Sequence, residues 1–264
     1  MKNIKPIVER ILSRQGKKGP FEDGEKMALV LLGGTMAGVN GAGAMIALQQ
    51  LGLSHAFDAI FTASAGFPNA SYLLAEDTEA GASIYYEELA GDRFINFWRF
   101  YKPINFEAVF DAIKNKKPLQ YQKIWQSNSK LHLRMRSMET DKKMYIIAQS
   151  VDNFMYYDLL RASISFPILT KGFPIDGVRY CDGQITNNDI CEHIFHALCY
   201  TSFSSIVIIY NRPEQRLINL NAPERILEIL PKGDSLISRF ETNSKILQKA
   251  CFEMKSNVLK IFDH

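Results

Sequence analysis

The chain has 264 residues, 47% of them hydrophobic, and this length is enough to bury a sizeable core as one α/β domain. The 31 basic and 28 acidic residues give a formal net charge of +3, which is too balanced to indicate a nucleic-acid partner. No stretch reaches the roughly 20 apolar residues that a membrane-spanning helix needs, and the N-terminal residues lack the apolar core and cleavage site of a signal peptide. We therefore expect a cytoplasmic protein, while association with a membrane surface and export without a signal peptide stay open.

Residues 1–24 are predicted to form an amphipathic helix followed by a loop. Apolar residues recur at helical spacing at Ile4, Ile7, Val8 and Ile11, and the loop contains Gly-Pro and Asp-Gly pairs. Such a helix either anchors a protein to a membrane surface or packs against its own domain, and we favour packing. The remaining residues then form the α/β domain, residues 25–264.

Two apolar runs that end in small residues organise this domain. The first spans Met27–Gly38 and the second spans Phe57–Ala70, and each is typical of a strand, a tight turn and the start of a helix. Strand, helix, strand and helix in this order predict a parallel sheet. The second turn contains Ser64, whose hydroxyl is then expected at the end of a strand.

Residues 91–130 are rich in aromatic side chains, which have two interpretations. They form either the wall or lid of an apolar groove that takes acyl chains, or ordinary helix core, and their irregular spacing favours neither. The side chains concerned are Phe94, Phe97, Trp98, Phe100, Tyr101, Phe106 and Phe110.

The second half of the chain predicts a hairpin, two more strands and a helical end. Leu131–Ser137 and Met144–Ala148 are β-rich runs separated by a turn, which is typical of a hairpin. Val178–Cys181 and Ser205–Tyr210 predict further strands, and residues 222–264 follow a helical pattern.

The cysteines indicate neither a disulfide framework nor a metal site. They have no zinc-like spacing and all fall in the last third of the chain, so we interpret them as reduced core residues. These residues are Cys181, Cys191, Cys199 and Cys251. We expect no metal and no cofactor.

Several blocks, in order, resemble the patatin-like phospholipase family. Leu29–Gly38 is similar to that family's strand and Gly-Gly-Gly-x-Arg-Gly oxyanion turn, and Thr62–Gly66 is similar to its Gly-x-Ser-x-Gly nucleophile elbow, with Asn69 beyond. Arg161–Pro167 resembles its Ala-Ser block, and Asp182-Gly183 its Asp-Gly-Gly/Ala block. The resemblance covers roughly residues 27–210 and implies a three-layer α/β/α fold with a mainly parallel central sheet.

The resemblance also implies the roles of individual residues. It implies a catalytic dyad without histidine, with Ser64 as the nucleophile and Asp182 as the base. It implies an oxyanion hole at Gly33, Gly34, Thr35 and Ala65. Residues implied to support the elbow are Gly66, Asn69 and Gly183. A free aspartate has a pKa of about 3.9, so such a site must raise that pKa or hold the proton transfer in good geometry.

The chain departs from the family pattern at several positions. Thr35 replaces the third glycine of the oxyanion turn, Ala37 replaces the arginine, Thr62 replaces the first glycine of the elbow, and Gln184 stands where the family has Gly or Ala. Threonine penalises a positive φ, and the loss of one oxyanion donor typically costs about 10²- to 10³-fold in rate. A slow or inactive enzyme is therefore one expectation.

Three functional hypotheses follow from these residues. The first is a serine lipid acyl hydrolase of the phospholipase A or lysophospholipase type, which forms an acyl-enzyme from a phospholipid or other acyl lipid. The second is a weakened or inactive patatin-like protein that binds lipids or partner proteins. The third is a nucleotide-binding α/β module, which is weakly supported because the glycines match neither G-x-G-x-x-G nor a P-loop.

Overall fold

One mixed sheet lies at the centre of the molecule in the computed structural model, which describes residues 4–99, 103–167, 169–218, 220, 222 and 224–263. Within that part of the chain the sheet has eight strands. They are β1 (Met27–Leu31), β2 (Ala59–Thr62), β3 (Lys130–Ser137), β4 (Lys143–Ile147), β5 (Phe173–Ile175), β6 (Val178–Asp182), β7 (Ser205–Ile209) and β8 (Ile226–Ile229).

The strand order explains how distant parts of the chain meet at one edge. The order is β5-β6-β3-β2-β1-β7-β8, with β4 paired to β3 outside this path. The strands β3, β2, β1, β7 and β8 run parallel, whereas β4 and β6 pair antiparallel with β3 and β5 pairs antiparallel with β6. Because the central strands are parallel, the turns that follow them all leave from the same edge of the sheet.

The register on β3 brings the end of β6 close to the end of β2. Thr62 of β2 pairs with Leu133, and Asp182 of β6 pairs with Met135, two residues further along β3. Strand β4 overlaps both pairings, so it occupies one edge of β3 while β2 and β6 share the other. At the rise of a β-strand, two residues correspond to about 7 Å. The last residue of β6 therefore lies in line with the residues that follow β2.

Helices cover both faces of the sheet and give the three layers that the resemblance implies. They are α1 (Lys5–Leu12), α2 (Gly38–Gln50), α3 (Gly66–Leu74), α4 (Thr78–Ser83), α5 (Phe106–Asp111), α6 (Tyr121–Gln126), α7 (Asn153–Ile164), α8 (Asn187–Tyr200) and α9 (Ser244–Phe262). Of these, α8 packs on the face that carries Ala28 and Val30, and the larger core lies on the face that carries Leu29 and Leu31. The prediction of a three-layer α/β/α fold with a mostly parallel sheet is confirmed.

The N-terminal helix packs against the domain. Ile7, Val8 and Ile11 on α1 are buried in the larger core, and the fully buried Arg14 forms ion pairs with Asp23 at 2.8 Å and with Asp58 at 2.7 Å. Its apolar face is therefore covered by the protein itself, as expected of packing rather than of a membrane anchor. Residues 1–3 of the predicted segment lie outside the described residues.

Two sequence predictions differ from the structure. The segment predicted as helical from residue 222 contains strand β8, and its long helix begins only at Ser244, where the Asn243 side chain accepts hydrogen bonds from the first turn. The run Ile-Leu-Glu-Ile is short enough to fit the period of a helix or that of a strand, and its pairing with β7 makes it a strand. All four cysteines are free, but Cys199 is exposed and Cys191 is only partly buried, so the prediction of core residues was wrong for this pair.

No helix among the described residues has the length and apolar character needed to span a membrane.

The buried carboxylate of Asp189, at the start of α8, fixes the loop that follows β6. It accepts hydrogen bonds from the N–H groups of Ile185 and Thr186 and forms ion pairs with Arg136 and Lys143. Burial favours a higher pKa for Asp189, but the hydrogen bonds from Thr186 and Lys143 outweigh this effect and hold the pKa well below its usual value.

We expect Asp189→Ala to lower the free energy of unfolding by about 3 to 5 kcal/mol, because it removes a buried carboxylate partner of Arg136 and Lys143 and leaves the N–H groups of Ile185 and Thr186 without their acceptor. Asp141→Asn is the control, since Asp141 also pairs with Arg136, its side chain is 75% exposed, and asparagine tolerates its positive φ of 58°. Urea denaturation at neutral pH measures both values. Equal losses in the two variants would contradict this role for Asp189.

Candidate active site

The turn that follows β1 lies directly against the turn that follows β2. A Cβ atom at Gly33 would lie 2.5 Å from the Cβ of Ser64 and 3.2 Å from its Oγ. These distances leave no room for a side chain at residue 33. A Cβ at Gly66 would lie 2.7 Å from the carbonyl oxygen of Leu31. Both glycines are therefore required by close approach, and they hold the Ser64 hydroxyl beside the Gly33–Thr35 turn.

Two residues in these turns have strained backbones. Ser64 has a φ of 52° and Thr35 has a φ of 55°, in the left-handed region that non-glycine residues rarely occupy. Such conformations cost on the order of 1 to 3 kcal/mol each and persist where the surrounding structure fixes them. At Thr35 this is the positive φ that is expected to be costly when threonine replaces glycine.

Several backbone N–H groups in the turns around Ser64 are without an acceptor in the described part of the chain. Among the described residues, the N–H groups of Gly34, Thr35 and Ala65 have no hydrogen-bond acceptor. The N–H of Gly33 donates to Oε1 of Gln184 at 3.2 Å. Three donors of the predicted set are therefore free, and the fourth is occupied by a side chain that the family pattern does not have.

Asp182 lies beside Ser64 and is almost completely buried. The Ser64 hydroxyl lies close enough to the Asp182 side chain to lower its pKa, and Oδ1 of Asp182 accepts a hydrogen bond from the N–H of Gln184 at 2.8 Å. Burial raises the pKa of Asp182 to about 7, although the hydrogen bonds from Ser64 and Gln184 act in the opposite direction. A carboxyl with this pKa can exchange a proton near neutral pH.

The predicted support residues take part in this packing. The Asn69 side chain donates to the carbonyl of Gly38 at 2.8 Å and accepts a hydrogen bond from the Tyr85 hydroxyl, which connects α3 to the start of α2. A Cβ at Gly183 would lie 2.7 Å from the carbonyl oxygen of Arg134, so the loop after β6 passes close to β3.

Sequence reasoning missed two residues that hold the glycine turn. The Asn211 side chain donates to the carbonyls of Leu32 and Gly33 and accepts from the N–H of Gly41, while the Gln215 side chain donates to the carbonyl of Gly33 at 2.7 Å. The available signal was position, because Asn211 is a polar residue just after the buried strand β7. It therefore stands at the same edge of the sheet as both turns.

A cavity of about 320 Å³ opens at this edge of the sheet. Its floor includes Ser64 and Asp182, and one wall is apolar, which suits a ligand with a hydrocarbon part. From the aromatic segment, Phe94, Phe97 and Phe106 line the cavity. Trp98 is exposed, and Phe110 contacts Tyr157 and Arg161 instead. Phe100 and Tyr101 lie outside the described residues.

The described histidines lie away from the cavity. His132, His193 and His196 cluster with Tyr145, and His55 contacts Ser127 and Glu76. Within the described residues, no group of three His, Cys, Asp or Glu side chains is arranged to hold a metal ion.

Comparison with known protein families identifies the fold. A family model described as "Patatin-like phospholipase" matches residues 29–193, which is more than half of the chain. The chain belongs to the patatin-like phospholipase family. A search of curated proteins gave no match. The matched region includes both turns and the strand that ends at Asp182, and family membership supports acyl hydrolysis of lipid substrates as the general type of activity.

The raised pKa of Asp182 predicts how Asp182→Asn changes stability with pH. At pH 4.5 the folded carboxyl is protonated, whereas at pH 8 it is ionised although burial favours the neutral form. The unfolded carboxyl already ionises near pH 4, so wild-type stability falls between about pH 4 and 7. The neutral amide escapes this loss. We expect Asp182→Asn to be more stabilising, relative to wild type, at pH 8 than at pH 4.5, by about 1 kcal/mol or more.

Chemical denaturation of the variant and wild type at the two pH values tests this. Asp92→Asn, in an exposed loop, is the control for general effects of removing one carboxylate. A stability difference that is the same at both pH values would contradict the raised pKa.

Proposed function

We propose that this protein is a serine lipid acyl hydrolase that uses Ser64 as the nucleophile and Asp182 as the base. The observation that carries the proposal is the proximity of the Ser64 hydroxyl to the buried carboxyl of Asp182, whose pKa is about 7, in the lining of one cavity. Free N–H groups at Gly34, Thr35 and Ala65 lie in the adjoining turns. Nucleophile, base and oxyanion donors are the three parts that acyl transfer requires.

The reaction proceeds through an acyl-enzyme. Ser64 Oγ attacks the ester carbonyl carbon while its proton passes to the Asp182 carboxylate, and the oxyanion accepts hydrogen bonds from the free N–H groups. The intermediate collapses, the ester bond to the alcohol breaks, and Asp182 returns the proton to the departing alkoxide. A water molecule then attacks the acyl-serine, again with Asp182 as base, which releases the fatty acid and restores the serine hydroxyl.

The cavity supports a substrate with a hydrocarbon chain. Phe94, Phe106, Val109 and Ile113 line the wall next to the turns, and they give an acyl chain an apolar surface to contact. Burial of each methylene contributes about 0.8 kcal/mol, so a chain of several carbons gains enough to hold the ester near Ser64.

The replacement of glycine by Thr35 leaves the oxyanion turn usable. Thr35 keeps its backbone N–H, and its φ of 55° matches a conformation open to glycine, so the donor retains its direction. The cost falls on stability rather than on the number of donors.

A fluorophosphonate probe and a phospholipid assay test the proposal. We expect wild type to be labelled and to release fatty acid, Ser64→Ala to do neither, and Asp182→Asn to react at least 10²-fold more slowly. Because the base must be ionised, wild-type kcat/KM should rise with pH and level off above about pH 7. Ser150→Ala, which removes an exposed serine, is the control. Labelling that persists in Ser64→Ala would contradict the role of this serine.

One contact favours the second candidate, a weakened or inactive enzyme that binds lipid. The Gln184 side chain accepts the N–H of Gly33, so one oxyanion donor is already in use. A substrate oxyanion must either displace this side chain or rely on the remaining donors.

We expect Gln184→Ala to raise kcat about tenfold with little change in KM, since it frees a donor that acts mainly in the transition state. Alanine preserves the residue 184 N–H that bonds to Asp182. Gln122→Ala, on the exposed side of α6, is the control. If Gln184→Ala has the same kcat as wild type, the contact between Gln184 and Gly33 does not limit the reaction. If wild type and Gln184→Ala are both inactive, the second candidate is favoured.

A further inference from the structure

Two arginines line the cavity beside the proposed catalytic serine. Arg212 follows Asn211 at the end of β7, and Arg239 lies in the loop before α9; both are half-buried. The carbonyl of Arg239 accepts a hydrogen bond from the N–H of Met36, which fixes this loop against the oxyanion turn. Two segments far apart in the chain therefore bring their guanidinium groups to one cavity.

Neither guanidinium forms an ion pair in the part of the chain that the structure describes, although the charge of Asp182 acts on Arg239 from a longer distance. Arg14 and Arg136, by contrast, each contact a carboxylate within 3 Å, although the Nε atom of Arg136 is also without a partner among the described residues. For Arg212 and Arg239 no ion pair forms among the described residues, and the Nε atom of each is buried without a hydrogen-bond partner. Among the described residues, the polar side-chain contact of Arg239 is a long one, 3.4 Å from its Nη2 to Thr35 Oγ1, and its guanidinium carbon lies 5.2 Å from the centre of the Phe240 ring.

This arrangement is unfavourable without a ligand. A buried charge normally has a partner, and like charges at close range repel each other. Burial and the nearby charge of Arg212 lower the pKa of Arg239, whereas the charge of Asp182 raises it, so all three groups lie near one another at this cavity. An anion placed between them would remove both penalties and accept hydrogen bonds from two planar donors.

The charge balance of the cavity favours an anionic substrate. Among its described lining residues, the ionisable groups of fixed charge near neutral pH are Arg212 and Arg239, and the opposing carboxyl is Asp182. Even with Asp182 fully ionised the cavity carries a net charge of about +1, and it rises when this carboxyl holds its proton.

We propose that Arg212 and Arg239 form an anion subsite that binds the phosphate of a phospholipid head group while the acyl chain lies along the apolar wall. The proposal rests on the proposed function and specifies its substrate: phosphate-bearing acyl lipids are selected over neutral acyl esters. The guanidinium group is suited to this task because its forked donors match two phosphate oxygens. In a glycerophospholipid the phosphate is only a few bonds from the ester carbonyl, so both fit one cavity.

Direct binding tests the subsite without requiring any activity. Dodecylphosphocholine, used below its micelle concentration, carries a phosphodiester and a hydrocarbon chain but no ester, and dodecyl maltoside is its neutral counterpart. By titration calorimetry we expect Arg212→Gln and Arg239→Gln each to weaken dodecylphosphocholine binding at least tenfold and to leave dodecyl maltoside unchanged. Arg216→Gln is the matched control, because Arg216 is four residues from Arg212 but pairs with Glu228 at 2.8 Å.

Further arms separate the subsite from a structural role and from a site for free phosphate. Arg212→Lys and Arg239→Lys should restore part of the affinity, and neither Gln variant should lower the melting temperature, because each removes an unpaired charge. Inorganic phosphate should bind at least tenfold more weakly than dodecylphosphocholine. The proposal would be overturned if inorganic phosphate bound as tightly as dodecylphosphocholine, or if the Gln variants lost affinity for dodecyl maltoside to the same extent as for dodecylphosphocholine. It would also be overturned if all variants, including the Lys variants, failed to fold.

Kinetics distinguish its failure from failure of the proposed function. With a short-chain phosphatidylcholine and a neutral p-nitrophenyl ester of the same acyl length, both Gln variants should lower the ratio of kcat/KM for the phospholipid to kcat/KM for the neutral ester at least tenfold. If the variants hydrolyse both esters with an unchanged ratio, the anion subsite is contradicted and the hydrolase function is supported. If wild type hydrolyses neither ester but binds dodecylphosphocholine through the two arginines, the hydrolase function is contradicted and the anion subsite is supported.

Discussion

The close approach of two strand ends is the constraint on which this structure depends. A Cβ at Gly33 would come within 2.5 Å of the Ser64 side chain, so the turn after β1 and the turn after β2 share one space. Parallel pairing of β1, β2 and β7 brings both turns and Asn211 to the same edge. Asn211 then holds the turn through the carbonyls of Leu32 and Gly33. The packing of the core thus determines where a hydroxyl and several N–H groups meet.

Two buried carboxyls at this edge have opposite pKa shifts, because hydrogen-bond donors and cations outweigh the effect of burial at only one of them. Asp189 is buried but surrounded by donors and cations, so it stays ionised and fixes the loop after β6. Asp182, seven positions earlier, is buried with fewer donors, so burial raises its pKa to about 7. The structure separates two nearby carboxyls into an ionised structural group and a group that can exchange a proton near neutral pH. Such a separation is the usual way in which a site obtains a base from a weakly basic residue.

The sequence predicted structural features whose signal lies in adjacent residues, but it did not predict features that depend on how distant strands and loops pair. Apolar runs followed by small residues predicted β1, β2 and their turns, since strand, turn and helix start are adjacent in the chain. Placement of Asp182 came from a resemblance between blocks, and the pairing on β3 supplies its physical basis. The roles of Gln215 and Arg239 carry no local pattern, because they depend on how distant loops cross the sheet edge. Strand β8 was missed because four residues are too few to establish a period.

The departures from the family pattern are connected through the same turn. Ala37 is fully buried, so an arginine there would have to displace core packing, whereas Arg239 contributes a cation next to the turn from a different segment. Thr35 accepts a weak contact from that arginine, and Gln184 accepts the Gly33 N–H. Thr35 and Gln184 therefore each have a polar contact at or beside this turn. Because residues of one turn are close enough to influence each other, double-variant cycles measure any coupling between the two positions more directly than single substitutions.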